Sequence, residues 1–285
     1  MPFLEEPVRF ASSGRELAGI LHAPASGKAR SAVLVVHPFA EEKKFSHRVL
    51  VELARELAQR DVATLRFDLS GEGDSAGESE DATLDAWMED IASARAEVAR
   101  RFPEIPVTLM GLRLGATFAL ASASREMGTV PEQRQKQEGQ SPFLVLWEPI
   151  LSGAKYVDEI LRRRMIKEMM TTGKKATGRD AVLAQIEADG FLDLDGLAIG
   201  RKLIEDISAL DAKALAATFT GKALLVQIAF NAKVSPALED LAATMRAAGA
   251  QAETRGIKEQ VLWDRVELVE AKELIAATAD WVSSW

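Results

Sequence analysis

The chain has 285 residues, 47% of them hydrophobic, a formal net charge of -8 and no cysteine. The missing thiols exclude disulfides, thiolate metal sites and a cysteine nucleophile, and the interleaved acidic and basic residues form no clustered basic face for a nucleic acid. A chain of this size buries a large core, as one α/β domain with an insertion or as two domains. No stretch reaches the roughly 18 consecutive apolar residues of a membrane span, and Met1 to Glu6 lack a basic, then apolar, leader. The expected compartment is the cytoplasm.

In chain order, Pro7 to Ala11 and Leu17 to His22 read as an opening hairpin. Ser31 to His37 is a continuous apolar run, as expected of a strand covered on both faces, and it leads into His37-Pro38-Phe39-Ala40-Glu41-Glu42. The spacing of residues 49, 50, 53 and 57 predicts a helix from about Arg48 to Gln59. Val62 to Phe67 is another buried strand, followed by the glycine-rich loop Asp68 to Gly77. A helix from about Leu84 to Phe102 precedes a stretch in which Val107 to Met110 read as strand, Gly111-Leu112-Arg113-Leu114-Gly115 as a sharp turn, and the following alanines and leucines as helix. Two glycines bracketing an apex residue suit a strained strand-to-helix turn, because side chains there would collide with the flanking elements.

Beyond that helix, Gly128 to Ser141 reads as a surface loop and Phe143 to Trp147 as a strand ending at Glu148-Pro149. Leu151 to about Ala217 is amphipathic and helical and includes Arg162-Arg163-Arg164. Lys222 to Ala229 and Ala252 to Ile257 return to strand, with helices over Pro236 to Ala248 and Val266 to Trp281. Strands alternating with helices predict a mostly parallel, doubly wound sheet. The expected division is a core of residues 1–150 and 218–285 with a helical cap inserted at 151–217.

The order of elements, the His37-Pro38 loop, Asp68 with its glycine-rich loop and the Gly111 to Gly115 turn together resemble the α/β-hydrolase superfamily over nearly the whole chain. More narrowly, His37 to Glu42, Gly111 to Ala116 and Leu146 to Gly153 are similar to the branch called exosortase A system-associated hydrolases. That resemblance implies a bacterial setting of exopolysaccharide production and protein sorting. It also implies a triad in the order Ser, Asp or Glu, His. Here the nucleophile position is Arg113. The acid position is best matched by Asn231, and the base would fall near Gln260. The only histidines, His22, His37 and His47, all precede the turn. Loss of triad members costs about a millionfold in turnover, so the expectation is a degenerate hydrolase that binds or scaffolds without cleaving.

Arg113 carries two readings. Its guanidinium is either tied to a carboxylate such as Glu41, Glu148 or Asp68, or it accepts an anion at the start of a helix, where free N–H groups favour negative charge. The second makes His37, Pro38, Arg113, Leu114 and Glu148 a ligand pocket for a small anionic molecule or an acidic peptide end. The rival class is an enzyme, either a hydrolase using Ser46, Ser70 or Ser235, or a catalyst in which His37 works with Asp68 and Glu148. No carboxylate spacing signals a metal, and no cofactor is implied. Dimerisation through the cap is carried as an expectation with the scaffold reading.

Overall fold

A computed structural model of the chain describes residues 3–129, 143–172, 178–194, 196–264 and 269–284. The opening hairpin is β1 (Phe3–Ser12) and β2 (Arg15–Pro24), longer at both ends than the sequence pattern suggests. The apolar runs become the inner strands β3 (Ser31–Val36), β4 (Val62–Phe67), β5 (Val107–Leu112) and β6 (Phe143–Trp147). Every residue of β3, β4 and β5 is buried. Helices cover both sides, so these strands show no solvent-facing alternation; in β4 the polar Thr64 and Arg66 are themselves buried, Arg66 Nε donating to His22 Nε2 at 3.1 Å.

One face is covered by α1 (Glu41–Gln59), whose Val49, Leu53 and Leu57 pack with Val33 and Val35 of β3. The other is covered by α2 (Leu84–Arg101) and α3 (Leu114–Thr129), where Ile91 and Phe118 join Ala32, Leu34 and Val36. Successive residues of β3 therefore feed opposite cores, as the two-residue period of a strand requires. Each fully buried large aliphatic or aromatic side chain contributes about 1.5–3 kcal/mol, which makes this layer the rigid base of whatever stands above it.

Between the sixth and ninth strands lie α4 (Gly153–Thr172), α5 (Arg179–Asp189), β7 (Phe191–Leu194), β8 (Leu197–Gly200), α6 (Arg201–Ser208) and α7 (Ala212–Ala216). The expectation of a helical segment throughout is corrected here, because β7 and β8 pair antiparallel. Strands of four residues are too short for their alternation to stand out from a helical pattern. The core resumes with β9 (Lys222–Ile228), α8 (Pro236–Ala247), β10 (Gln251–Ile257) and α9 (Lys272–Val282). The surface loop expected from Gly128 to Ser141 lies, beyond Thr129, outside the described residues, as do 265–268 before α9.

The sheet order is β1-β2-β4-β3-β5-β6-β9-β10, antiparallel from β1 to β2 and from β2 to β4 and parallel thereafter. After β3 the chain steps to β4 on one side and then crosses to β5 on the other. That reversal opens a crevice beyond the carboxyl ends of β3 and β5, the place where open α/β sheets hold ligands. His37 and Arg113 follow those two strand ends directly.

Candidate functional site

The turn after β5 is as tight as its sequence implies. A Cβ on Gly111 would lie 2.3 Å from the carbonyl group of Gly115, and one on Gly115 would lie 2.4 Å from the carbonyl oxygens of Val36 and His37. Backbone cannot yield as a side chain can, so both positions need glycine. Between them Arg113 takes a left-handed conformation, φ 55°, and its N–H donates to the Trp147 carbonyl at 2.8 Å. A non-glycine residue in that region is costly unless its surroundings impose it. The apex therefore keeps the backbone of a nucleophile while presenting a guanidinium.

That guanidinium is enclosed. Nε and one terminal nitrogen both donate to Glu42 Oε1 at 3.3 Å, and the same terminal nitrogen reaches Glu159 at 3.4 Å. The Trp263 ring lies 5.1 Å and the Tyr156 ring 5.7 Å from it, both within cation–π range. Glu42, 4% exposed, also accepts from the Tyr156 hydroxyl at 3.2 Å and from Arg163 at 3.4 Å. Arg163 in turn pairs with Glu159 one turn earlier on α4. Burial pushes the Glu42 carboxyl up, against the pull of Arg113 and Arg163. Burial likewise opposes the charge on Arg113, but Glu42 and Glu159 more than offset it.

The partners expected for Arg113 are thus corrected. Glu41 is exposed and pairs with Lys167 at 3.4 Å, because on α1 it faces about 100° away from Glu42. Glu148, at φ 47°, is held by Gln227 Nε2 at 2.7 Å and by the Ile228 N–H. Burial raises its carboxyl, with Arg113 acting on it only through space. Asp68 belongs to a separate cluster: Lys43 Nζ pairs with it at 2.7 Å and with Glu72 at 3.0 Å. The glycine-rich loop folds around this carboxylate; the Asp74 N–H donates to it at 3.1 Å, and a Cβ on Gly73 would strike it at 2.1 Å.

His37 lies on that second side. Burial, helped by Lys43 and Arg66 and opposed by Asp68, drives it down to about 3, so its ring is neutral, and its Nδ1 has no hydrogen-bond partner. The proposed grouping of His37, Asp68, Glu148 and Arg113 is therefore divided: His37 and Asp68 share one electrostatic neighbourhood, Arg113 has its own, and Glu148 is tied to β9. Pro38 and Leu114 are buried. Asn231 accepts from the Lys233 N–H at 3.1 Å in an exposed turn, and Gln260 is exposed. Neither hydrogen-bonds to Arg113. The loop after β10, where a base would stand, instead supplies Trp263. Of the serines considered as nucleophiles, Ser46 donates to the Glu42 carbonyl at 2.7 Å within α1, and Ser235 caps α8. Ser70 is buried, its N–H held by Asp90 at 2.8 Å.

Sequence reasoning missed Glu42, Lys43, Glu159 and Trp263 as participants. The one available signal for the cap was the Glu159-Arg163 pair at helical spacing, which is ordinarily a solvated stabiliser of a helix. Among the described residues no group of histidine and carboxylate side chains could hold a metal ion, and no helix is long and apolar enough to cross a membrane.

Residues 27–195 match the family model described as serine aminopeptidase, S33. Among solved structures the chain resembles Est1E from Butyrivibrio proteoclasticus with ferulic acid bound, at 18% identity over 97% of this chain and 96% of that one, TM-score 0.62. An esterase from Pyrococcus furiosus aligns at 14% identity over 99% and 91%, TM-score 0.61. The α/β-hydrolase GrgF from a Penicillium species aligns at 15% over 98% of both chains, TM-score 0.61. At these identities they establish the architecture alone. No curated protein sequence matches it.

Proposed function

The chain belongs to the serine aminopeptidase S33 family of α/β-hydrolases, and we propose that within it this protein binds a small anionic ligand instead of hydrolysing an acyl bond. The observation that carries the reading is the apex: Arg113 stands where the attacking oxygen would be, clamped by Glu42 and Glu159 and flanked by Trp263 and Tyr156. Serine hydrolysis needs an alcohol deprotonated by an adjacent base, and no histidine follows the turn. An anion would bind beside this compensated pair, where the basic residues of α4 continue outward. The exosortase-associated setting, a cytoplasmic location and self-association through the cap belong to the same proposal. They rest on the His37 to Glu42 and Leu146 to Gly153 motifs, on the absence of a spanning helix among the described residues and on the amphipathic cap.

A fluorophosphonate probe and a panel of short-chain esters test the reading. The expected result is no stoichiometric label and no turnover above background, and none gained by Arg113→Ser, because an alcohol restored without a base stays protonated. Labelling of one serine, with ester turnover abolished by replacing it, would overturn the proposal.

A second reading is favoured by the family match and by the esterase architecture: a hydrolase or other catalyst working from a different centre. His37 supports it, being neutral and buried just after β3, with an unpartnered Nδ1. Turnover that disappears in His37→Gln but survives Arg113→Ala would establish that reading over the first.

A further inference from the structure

One face of α4 carries Tyr156, Ile160, Arg163, Arg164, Lys167 and Thr171, and a cavity of about 80 Å³ lies between that face and the start of α1. Phe39, Tyr156, Ile160 and Leu194 supply most of its apolar lining, and Glu41, Glu42 and three basic residues of α4 its charged lining. Arg164 is one of these and also borders a second, open cleft of about 330 Å³ with Lys167, Thr171 and Asp193. The charges around it are accounted for, with one exception. Glu42 serves Arg113 and Arg163, Glu41 pairs with Lys167, Asp193 accepts from the Gly196 N–H, and Glu168 also has a partner. Arg164 is half-buried and forms no ion pair or hydrogen bond among the described residues.

A half-buried guanidinium lining a partly apolar cavity, with no ion pair among the described residues, has given up part of its hydration without a paired counter-charge in return. We propose that this is the seat of a short aliphatic carboxylate, with its head on Arg164 and its tail against Phe39, Ile160 and Leu194. At about 80 Å³ the cavity is roughly half the ~150 Å³ that takes a benzene ring, the scale of a short aliphatic chain such as the tail of butyrate. Phosphate would leave the apolar wall unfilled, and a neutral amide of the same shape would leave the guanidinium unpaired. The assignment rests on the binding reading above and gives that site its ligand class and its recognition residue.

Isothermal titration calorimetry with butyrate, butyramide and inorganic phosphate on the full chain tests it. Butyrate is expected to bind, butyramide about tenfold or more weaker, consistent with one charge-assisted hydrogen-bonded pair, and phosphate no better than butyramide. Arg164→Gln should weaken butyrate by a similar factor, with Arg164→Lys recovering part of it. Ile160→Trp, which fills the cavity while leaving the charge, should abolish butyrate binding. Butyrate bound equally by wild type and Arg164→Gln would overturn the assignment while leaving anion binding elsewhere intact. No heat with any of the three ligands, or a preference for phosphate, would also overturn it. Butyrate binding through Arg164 together with serine-dependent turnover of esters would sink the non-catalytic reading and keep the site.

Discussion

Two buried charge clusters flank the mouth of the crevice, and they begin on consecutive residues of α1. Glu42 faces the turn and meets Arg113, Arg163 and Tyr156, whereas Lys43 faces the glycine-rich loop and meets Asp68 and Glu72. The Lys43 cluster is made wholly of residues from the first 80 positions. The Glu42 cluster takes Tyr156, Glu159 and Arg163 from α4, so its integrity depends on how the inserted segment lies on the core. The lesson is that burying ions can serve two ends. One cluster fixes a loop within the core, and the other joins two parts of the chain across the turn after β5.

The largest expected effect is in the loop cluster. Lys43→Met leaves the buried Glu72 carboxylate and the partly buried Asp68 carboxylate without their shared counter-ion and should lower unfolding free energy by about 3 kcal/mol, measured by urea denaturation. Adding Glu72→Gln should restore part of it, because burial already pushes the Glu72 carboxyl up. Next, Glu42→Gln should cost about 2 kcal/mol, since Arg113 keeps Glu159 and both rings but loses its main counter-ion. Hydrogen exchange should accelerate in α4 and stay unchanged at Ser70 to Gly77; acceleration in both would break the distinction between the clusters.

The pH dependence sharpens the comparison. His37 is driven from 6.5 to about 3 and His22 to about 4, so the unfolded chain binds protons that the folded one refuses. Their contribution is fully present above pH 6.5 and is lost as pH falls through that window, at up to about 1.4 kcal/mol per pH unit for each group. The raised carboxyls of Glu42 and Glu72 act with opposite sign, their cost growing as pH rises above the ordinary 4.5. Denaturation curves from pH 4 to 6.5 should therefore flatten in His37→Gln, and an unchanged slope would remove His37 from the account. The smallest effect is expected at Glu159, which is 43% exposed: Glu159→Gln should change stability by less than about 1 kcal/mol.

Much of this architecture was legible in the sequence, for physical reasons particular to each element. The runs 32–36 and 143–147 are apolar because helices cover both faces, and the glycines at 111 and 115 announce a turn that nothing bulkier could make. The start of α1 was not legible. The apolar spacing starts this helix at about Arg48, yet it starts at Glu41, because Glu42 and Lys43 find their partners inside the protein and not in water. Arg113 could be placed at the apex from spacing alone. Its counter-ions could not, since Glu159 comes from a segment whose docking no local pattern records, and Trp263 looks like any other core indole until the chain is folded.

The indole of Trp263 beside a guanidinium also gives the protein an optical reporter of its own. Of the five tryptophans, Trp87 and Trp147 are shut inside the two cores and Trp281 lies on α9, whereas Trp263 stacks on Arg113, so a molecule that displaces Arg113 would perturb the emission of Trp263 far more than that of these three. Events beside Arg113 can thus be followed by intrinsic fluorescence, without a dye or a coupled assay.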